Sequence, residues 1–141
     1  MTRPLAVVSG TASDAHMWNL IVLDRMLAEA GYLVRNLGIC VPVPLLVEQC
    51  RRLSPDLVVL ASVNGHGYLD GLSAVRGLRA EPALAGSRIV VGGKLGMAGR
   101  EDPAARYRPL AAGCDEVFEG SAALADFWAG LRTAQPLVAQ Q

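Results

Sequence analysis

Apolar positions along this chain fall into short unbroken runs, separated by stretches with the spacing of a helix face. The first run, Leu-Ala-Val-Val-Ser at 5–9, has no polar alternation, as expected of a parallel strand covered on both sides. Apolar residues then recur at Leu20, Leu23, Leu27 and Ala30, which predicts a helix over 17–30 with Gly31 as its stop. Residues 32–39 alternate apolar and polar side chains and predict a strand nearer the sheet edge. Pro42 and Pro44 mark a loop, and Pro44 suits the first turn of a helix running to about Leu53. The run 56–62, Asp-Leu-Val-Val-Leu-Ala-Ser, is the most strand-like in the chain.

Beyond it, Asn-Gly-His-Gly-Tyr-Leu-Asp-Gly at 64–71 predicts a glycine-rich loop, with a helix from about Asp70 to Ala80. Residues 88–93 read as a strand ending in two glycines. Asp102 suits a helix cap, with Pro103 at the first helical position and the helix continuing to about Ala112. A short last strand is expected at 116–120. Ser121 then caps a final helix to about Arg132, followed by a loose tail at 135–141. Five strand-helix units at this spacing predict an α/β doubly wound parallel sheet. Five strands favour the flavodoxin-like order 2-1-3-4-5 over a six-stranded dinucleotide fold, with right-handed crossovers placing helices on both faces.

The length of 141 residues is that of one domain, assigned to 1–134, large enough to bury about two-thirds of its unfolded surface. With 52% hydrophobic residues, 18% charged residues and a formal net charge of zero, the chain belongs with globular proteins. The neutral balance, without a basic run, argues against nucleic acid as a partner. No apolar stretch approaches the roughly 20 residues that span a bilayer, and the N-terminal apolar segment is short for a signal peptide, so no membrane association is expected and the cytoplasm is the default location. Cys40, Cys50 and Cys114 are odd in number and lack C-x-x-C spacing, so a zinc cluster or disulfide framework is disfavoured and buried thiols acting as small hydrophobes are expected.

In a doubly wound sheet, ligands bind beyond the carboxyl ends of the strands where strand order reverses, here between the first and third strands. The unusual residues of this chain gather in the loops at that end: Asp14 and His16, the stretch from Ser62 to Gly67, and Gly92-Gly93. A metal-ligating histidine usually gives its second N–H to a carboxylate, which sets tautomer and orientation. Asp14-Ala15-His16 fits that pattern, although taken alone the spacing is met more often by a capping aspartate beside a surface histidine. A zinc site would want three or four protein ligands. A single histidine suits a cofactor that already carries most of its metal's ligands. Gly92-Gly93 admits close approach of a ligand to the backbone, or serves as a plain turn. His66, between two glycines, reads as solvated.

With those residues in view, the chain resembles the cobalamin-binding domain family, and most closely the small subunits of adenosylcobalamin-dependent glutamate mutase (methylaspartate mutase). The family pattern is D-x-H-x-x-G after the first strand, S-x-L after the third and G-G after the fourth. It stands here as Asp14-Ala15-His16-Met17-Trp18-Asn19, Ala61-Ser62-Val63 and Gly92-Gly93, across residues 5 to 130. The resemblance implies that His16 is the lower ligand to the cobalt of adenosylcobalamin, with Asp14 accepting its other N–H. It implies cofactor contacts at Ser13, Asp14, Ala15, His16 and Met17, at Ala61, Ser62 and Val63, and at Gly92, Gly93, Lys94, Leu95, Gly96 and Met97. The cofactor's nucleotide tail would enter between the first and third strands. Three positions depart from the pattern: Asn19 replaces glycine, Ala61 replaces serine and Val63 replaces leucine.

The activity implied is a radical carbon-skeleton isomerisation of glutamate to 3-methylaspartate. A larger catalytic barrel subunit would hold the amino acid, the pair forming a heterotetramer. No residue of this chain stands out as a substrate-binding group, in keeping with that division. Corrinoid methyl carriers and cobalamin sensors share the domain but carry a helical region ahead of it, and the first strand here begins by Leu5. A flavin carrier would want flanking aromatics, for which only Trp18 and Tyr68 are available. A phospho-receiver would need an aspartate where Ala61 and Ser62 stand. A domain that keeps the fold without the cofactor is the remaining alternative.

Overall fold

The computed structural model describes residues 3–11, 17–62, 67–93, 113–119 and 125–131. β1 (Leu5–Gly10), β2 (Leu33–Asn36), β3 (Leu57–Ser62), β4 (Arg88–Gly93) and β5 (Glu116–Glu119) form one sheet in the order β2-β1-β3-β4-β5. Every neighbouring pair is parallel. The expected flavodoxin-like topology is therefore the observed one. The helices between strands are α1 (Met17–Glu29), α2 (Val43–Leu53) and α3 (Gly67–Arg79), and residues 125–131 are also helical.

Strand alternation divides the core into two layers. Val7, Val58, Leu60, Ile89 and Val91 point to one face, where Leu46 and Cys50 of α2 and Ala74, Val75 and Leu78 of α3 cover them. Ala6, Val8, Leu57, Val59 and Val90 point to the other, under Leu20, Leu23 and Leu27 of α1 and Phe127 and Leu131. Burial of each such side chain contributes about 1.5–3 kcal/mol before the entropic cost of ordering it. Phe118 and Phe127 meet edge-on in the second layer, with ring centroids 5.8 Å apart.

Local chemistry ends the helices where the sequence signals it. Gly31 takes a φ of 101°, and Tyr32 N–H donates to the Leu27 carbonyl while Gly31 N–H donates to that of Ala28. These are the paired bonds of a glycine-terminated helix. Tyr32 is thereby drawn into the helix stop, and Gly38 leaves the strand with a φ of 91°, so β2 is shorter than the expected 32–39. β2 is an edge strand, as its alternation predicts. Pro44 lies in the first turn of α2.

α3 begins at Gly67, three residues before the expected start, so part of the expected glycine-rich loop is helical. Each glycine in a helix costs up to ~1 kcal/mol relative to alanine. Leu72, Val75 and Leu78 pack against the first core layer, and that burial outweighs the local preference. The remainder of that loop with His66, the helix expected at 102–112, the Ser121 cap and the tail at 135–141 lie outside the described residues. Cys50 and Cys114 are buried as expected, but Cys40 is exposed, in a loop where it takes a left-handed φ of 51°.

The end of the sheet opposite the strands' carboxyl ends is locked by two polar residues. Asp56 accepts a 2.8 Å bond from Leu5 N–H, and its backbone bonds to both Leu5 and Arg88. Arg79 donates from its guanidinium to the carbonyls of Gly113, Leu84 and Ser87 and to the Asp115 carboxylate. Asp115 also accepts from Ile89 N–H at 2.7 Å, so one side chain pair ties α3 to the starts of β4 and β5.

Candidate functional site

The register of the three central strands shows how the carboxyl end differs from the middle of the sheet. On the face covered by α1, the rows across β1, β3 and β4 run Ala6–Leu57–Arg88, then Val8–Val59–Val90, then Gly10–Ala61–Gly92. Side-chain volume along this face thus falls to a single methyl group at the last row. The opposite face stays filled, through Val7–Val58–Ile89 and then Ser9–Leu60–Val91. The result is a strip of nearly bare backbone across three strands, on one face only and at the topological switch between β1 and β3.

A methyl group built on Gly92 would rest 3.5 Å from the Cβ and the carbonyl oxygen of Phe118, an ordinary contact. Among the described residues, a methyl group at Gly92 is therefore tolerated. Gly10 is tied down instead, its N–H donating to the Gly38 carbonyl at 2.9 Å. The left-handed Gly38 is itself held by the Asn36 carboxamide oxygen at 2.9 Å. The loop after β2 then straddles the sheet end, with Ile39 packed in the α1 layer and Val41 buried in the other.

One residue further on, Thr11 N–H donates to the Ala61 carbonyl at 3.3 Å and continues the β1–β3 ladder. Thr11 is only 2% exposed, and its hydroxyl has no hydrogen-bond partner. A row of minimal side chains and an unsatisfied buried hydroxyl at the same end of the sheet fit a ligand that inserts a slender part and carries polar groups. Small side chains in that row are what an inserted slender group would require.

Of the residues expected to contact a cofactor, Ala61 and Ser62 end β3 and Gly92 and Gly93 end β4, with Ala61 opposite Gly92 and Ser62 opposite Gly93. Met17 is the first residue of α1. These segments converge on one end of the sheet. Ser13, Asp14, Ala15, His16, Val63, Lys94, Leu95, Gly96 and Met97 lie outside the described residues. Gly10 and Thr11 were not among the expected contacts. Gly10 breaks the first apolar run at its carboxyl end, a signal visible in the sequence, but its alignment with Ala61 and Gly92 depends on strand register. Among the described residues no group of three or more His, Cys, Asp or Glu side chains converges to hold a metal ion. No described helix is long and apolar enough to cross a membrane.

The chain matches the B12 binding domain over residues 4–126. It belongs to that family. Among curated proteins it is similar to the glutamate mutase sigma subunit of Treponema denticola, with 30% identity over 122 residues covering 84% of this chain and 85% of the relative. It is likewise similar to the glutamate mutase sigma subunit of Halobacterium salinarum, with 32% identity over 119 residues covering 83% of this chain and 77% of the relative. Among solved structures, a cobalamin-binding protein from Desulfitobacterium hafniense superposes with a TM-score of 0.72 at 21% identity. That alignment covers 96% of this chain but 59% of the larger protein, and supports the shared fold.

Proposed function

We propose that this chain is the cobalamin-binding small subunit of an adenosylcobalamin-dependent carbon-skeleton mutase. Its reaction is the interconversion of glutamate and 3-methylaspartate, carried out with a separate, larger subunit that holds the amino acid in a heterotetramer. The observation that carries this reading is the bare strip Gly10–Ala61–Gly92 at the switch point, in a family member similar to glutamate mutase sigma subunits over more than four-fifths of its length.

In this reading His16 would hold the cofactor's cobalt, and Asp14 would accept the second imidazole N–H, fixing the tautomer and raising the basicity of the ligating nitrogen. Ala61 and Gly92 leave room for the nucleotide tail against the sheet, under the cover of α1. Ser13, Ala15 and Met17, with Ser62, Val63, Gly93 and residues 94–97, would be further cofactor contacts by resemblance to the family. The bound cofactor supplies the radical chemistry, while the chain binds it, orients it and shields it from water.

The test is an absorption spectrum of the purified chain mixed with adenosylcobalamin. A base-off, histidine-on spectrum is expected, together with no turnover of glutamate by the chain alone. An unchanged spectrum of the free coenzyme overturns cofactor binding, and turnover without a partner overturns the division between subunits.

A further inference from the structure

Three polar residues are buried among the described ones: Ser9, Thr11 and Ser87. Ser9 donates its hydroxyl to the Gly10 carbonyl at 2.9 Å, and Ser87 donates to that of Pro55 at 2.6 Å. Thr11 alone among them has an unpartnered hydroxyl. A buried hydroxyl left without a partner forgoes its bonds to water and destabilises the fold. Valine has the same branched shape and an equal preference for extended backbone, so shape does not explain the hydroxyl at this position. Its place does. The Thr11–Ala61 backbone bond sets Thr11 one step past the Gly10–Ala61 pair, at the carboxyl end of the sheet where β1 and β3 diverge and three residues before Asp14.

We propose that Thr11 is a cofactor-recognition residue, whose hydroxyl donates to an oxygen acceptor of the bound cobalamin. This rests on the cobalamin reading above and adds to it a contact outside the family's motif positions. Cobalamin carries acceptor oxygens in two places, the amide side chains around the corrin ring and the phosphate and ribose of the nucleotide tail. Either would meet a donor at the strand end. Thr11 is thus destabilising in the free chain and satisfied in the complex, and its hydroxyl acts on binding separately from the cobalt ligand.

The experiment compares wild type, Thr11→Val and Thr11→Ser in the full chain, by thermal melts without cofactor and by titration with adenosylcobalamin. Thr11→Val is expected to melt at or above wild type and to bind about five- to tenfold more weakly, the effect of one hydrogen bond, while keeping the histidine-on spectrum. Thr11→Ser is expected to bind within about twofold of wild type, because it keeps the donor. Titration with cobinamide, which lacks the nucleotide tail, locates the acceptor: a loss that persists assigns it to a corrin amide, and a loss that vanishes assigns it to the tail. Wild-type affinity in Thr11→Val, or a lower melting temperature without cofactor, overturns the proposal while leaving the cobalamin reading intact. Failure of the wild type itself to bind overturns both.

Discussion

Gly92 lies opposite Phe118 across β4 and β5, and a methyl group at Gly92 would meet the Phe118 Cβ and carbonyl oxygen at 3.5 Å. Among the described residues, no contact therefore demands a glycine at this position. Gly92→Ala is expected to leave the melting temperature of the cofactor-free chain within a degree or two, because both new contacts are ordinary. In the proposed complex the same methyl intrudes on the nucleotide tail, and overpacking of this kind costs about 1–3 kcal/mol, or roughly five- to 150-fold in affinity. Thermal melts and a cobalamin titration read the two effects separately. Undiminished affinity would remove the strip from the binding surface.

His16→Ala is expected to abolish the histidine-on spectrum, whereas His66→Ala leaves it intact. The reason is chemical: only His16 stands two residues from a carboxylate, Asp14, in the loop that follows β1. Equal effects of the two substitutions on the spectrum would refute the assignment of the cobalt ligand.

Gly77 is the point where α3 approaches α2. A methyl group there would lie 2.7 Å from Val43 Cγ1 and 3.2 Å from Val47 Cγ2. Alanine gains up to ~1 kcal/mol in helix propensity over glycine. The clash falls on valines stiff at χ1, and overpacking of ~1–3 kcal/mol exceeds that gain. Gly77→Ala is therefore expected to lower stability by about 1 kcal/mol in denaturant unfolding, and Val43→Ala in the same chain to recover part of the loss. Independent, additive losses from the two changes would mean that the helices do not meet as described.

Burial pushes the Cys50 and Cys114 thiols up to about 11, while Cys40 is exposed. At pH 8 a thiol reagent is expected to modify Cys40 alone in the folded chain and all three cysteines after unfolding. The sign of the pH dependence follows from the raised values. Below the ordinary thiol range both states keep the proton and the contribution to stability is complete. Between about 9 and 11 only the unfolded chain releases it, so stability falls as pH rises. Cys50→Ala and Cys114→Ala together should flatten that decline in melts taken across alkaline pH.

The sequence by itself determined the topology, because unbroken apolar runs such as 57–60 are stable only when covered on both faces and so force a parallel, helix-covered sheet. Gly31 and Pro44 likewise act through φ preferences that belong to the residue, so the end of α1 and the start of α2 were legible without a fold. The start of α3 at Gly67 was not, because the local cost of glycine is overruled by core contacts that come from other segments. The exposure of Cys40 was not legible either, because burial depends on which segments pack over a residue. Above all, the alignment of Gly10 with Ala61 and Gly92, and the position of Thr11 beside them, came from register between strands some 50 and 80 residues apart in the chain. Register is set by the packing of both sheet faces at once, so only the tertiary structure could turn three separate small residues into one strip.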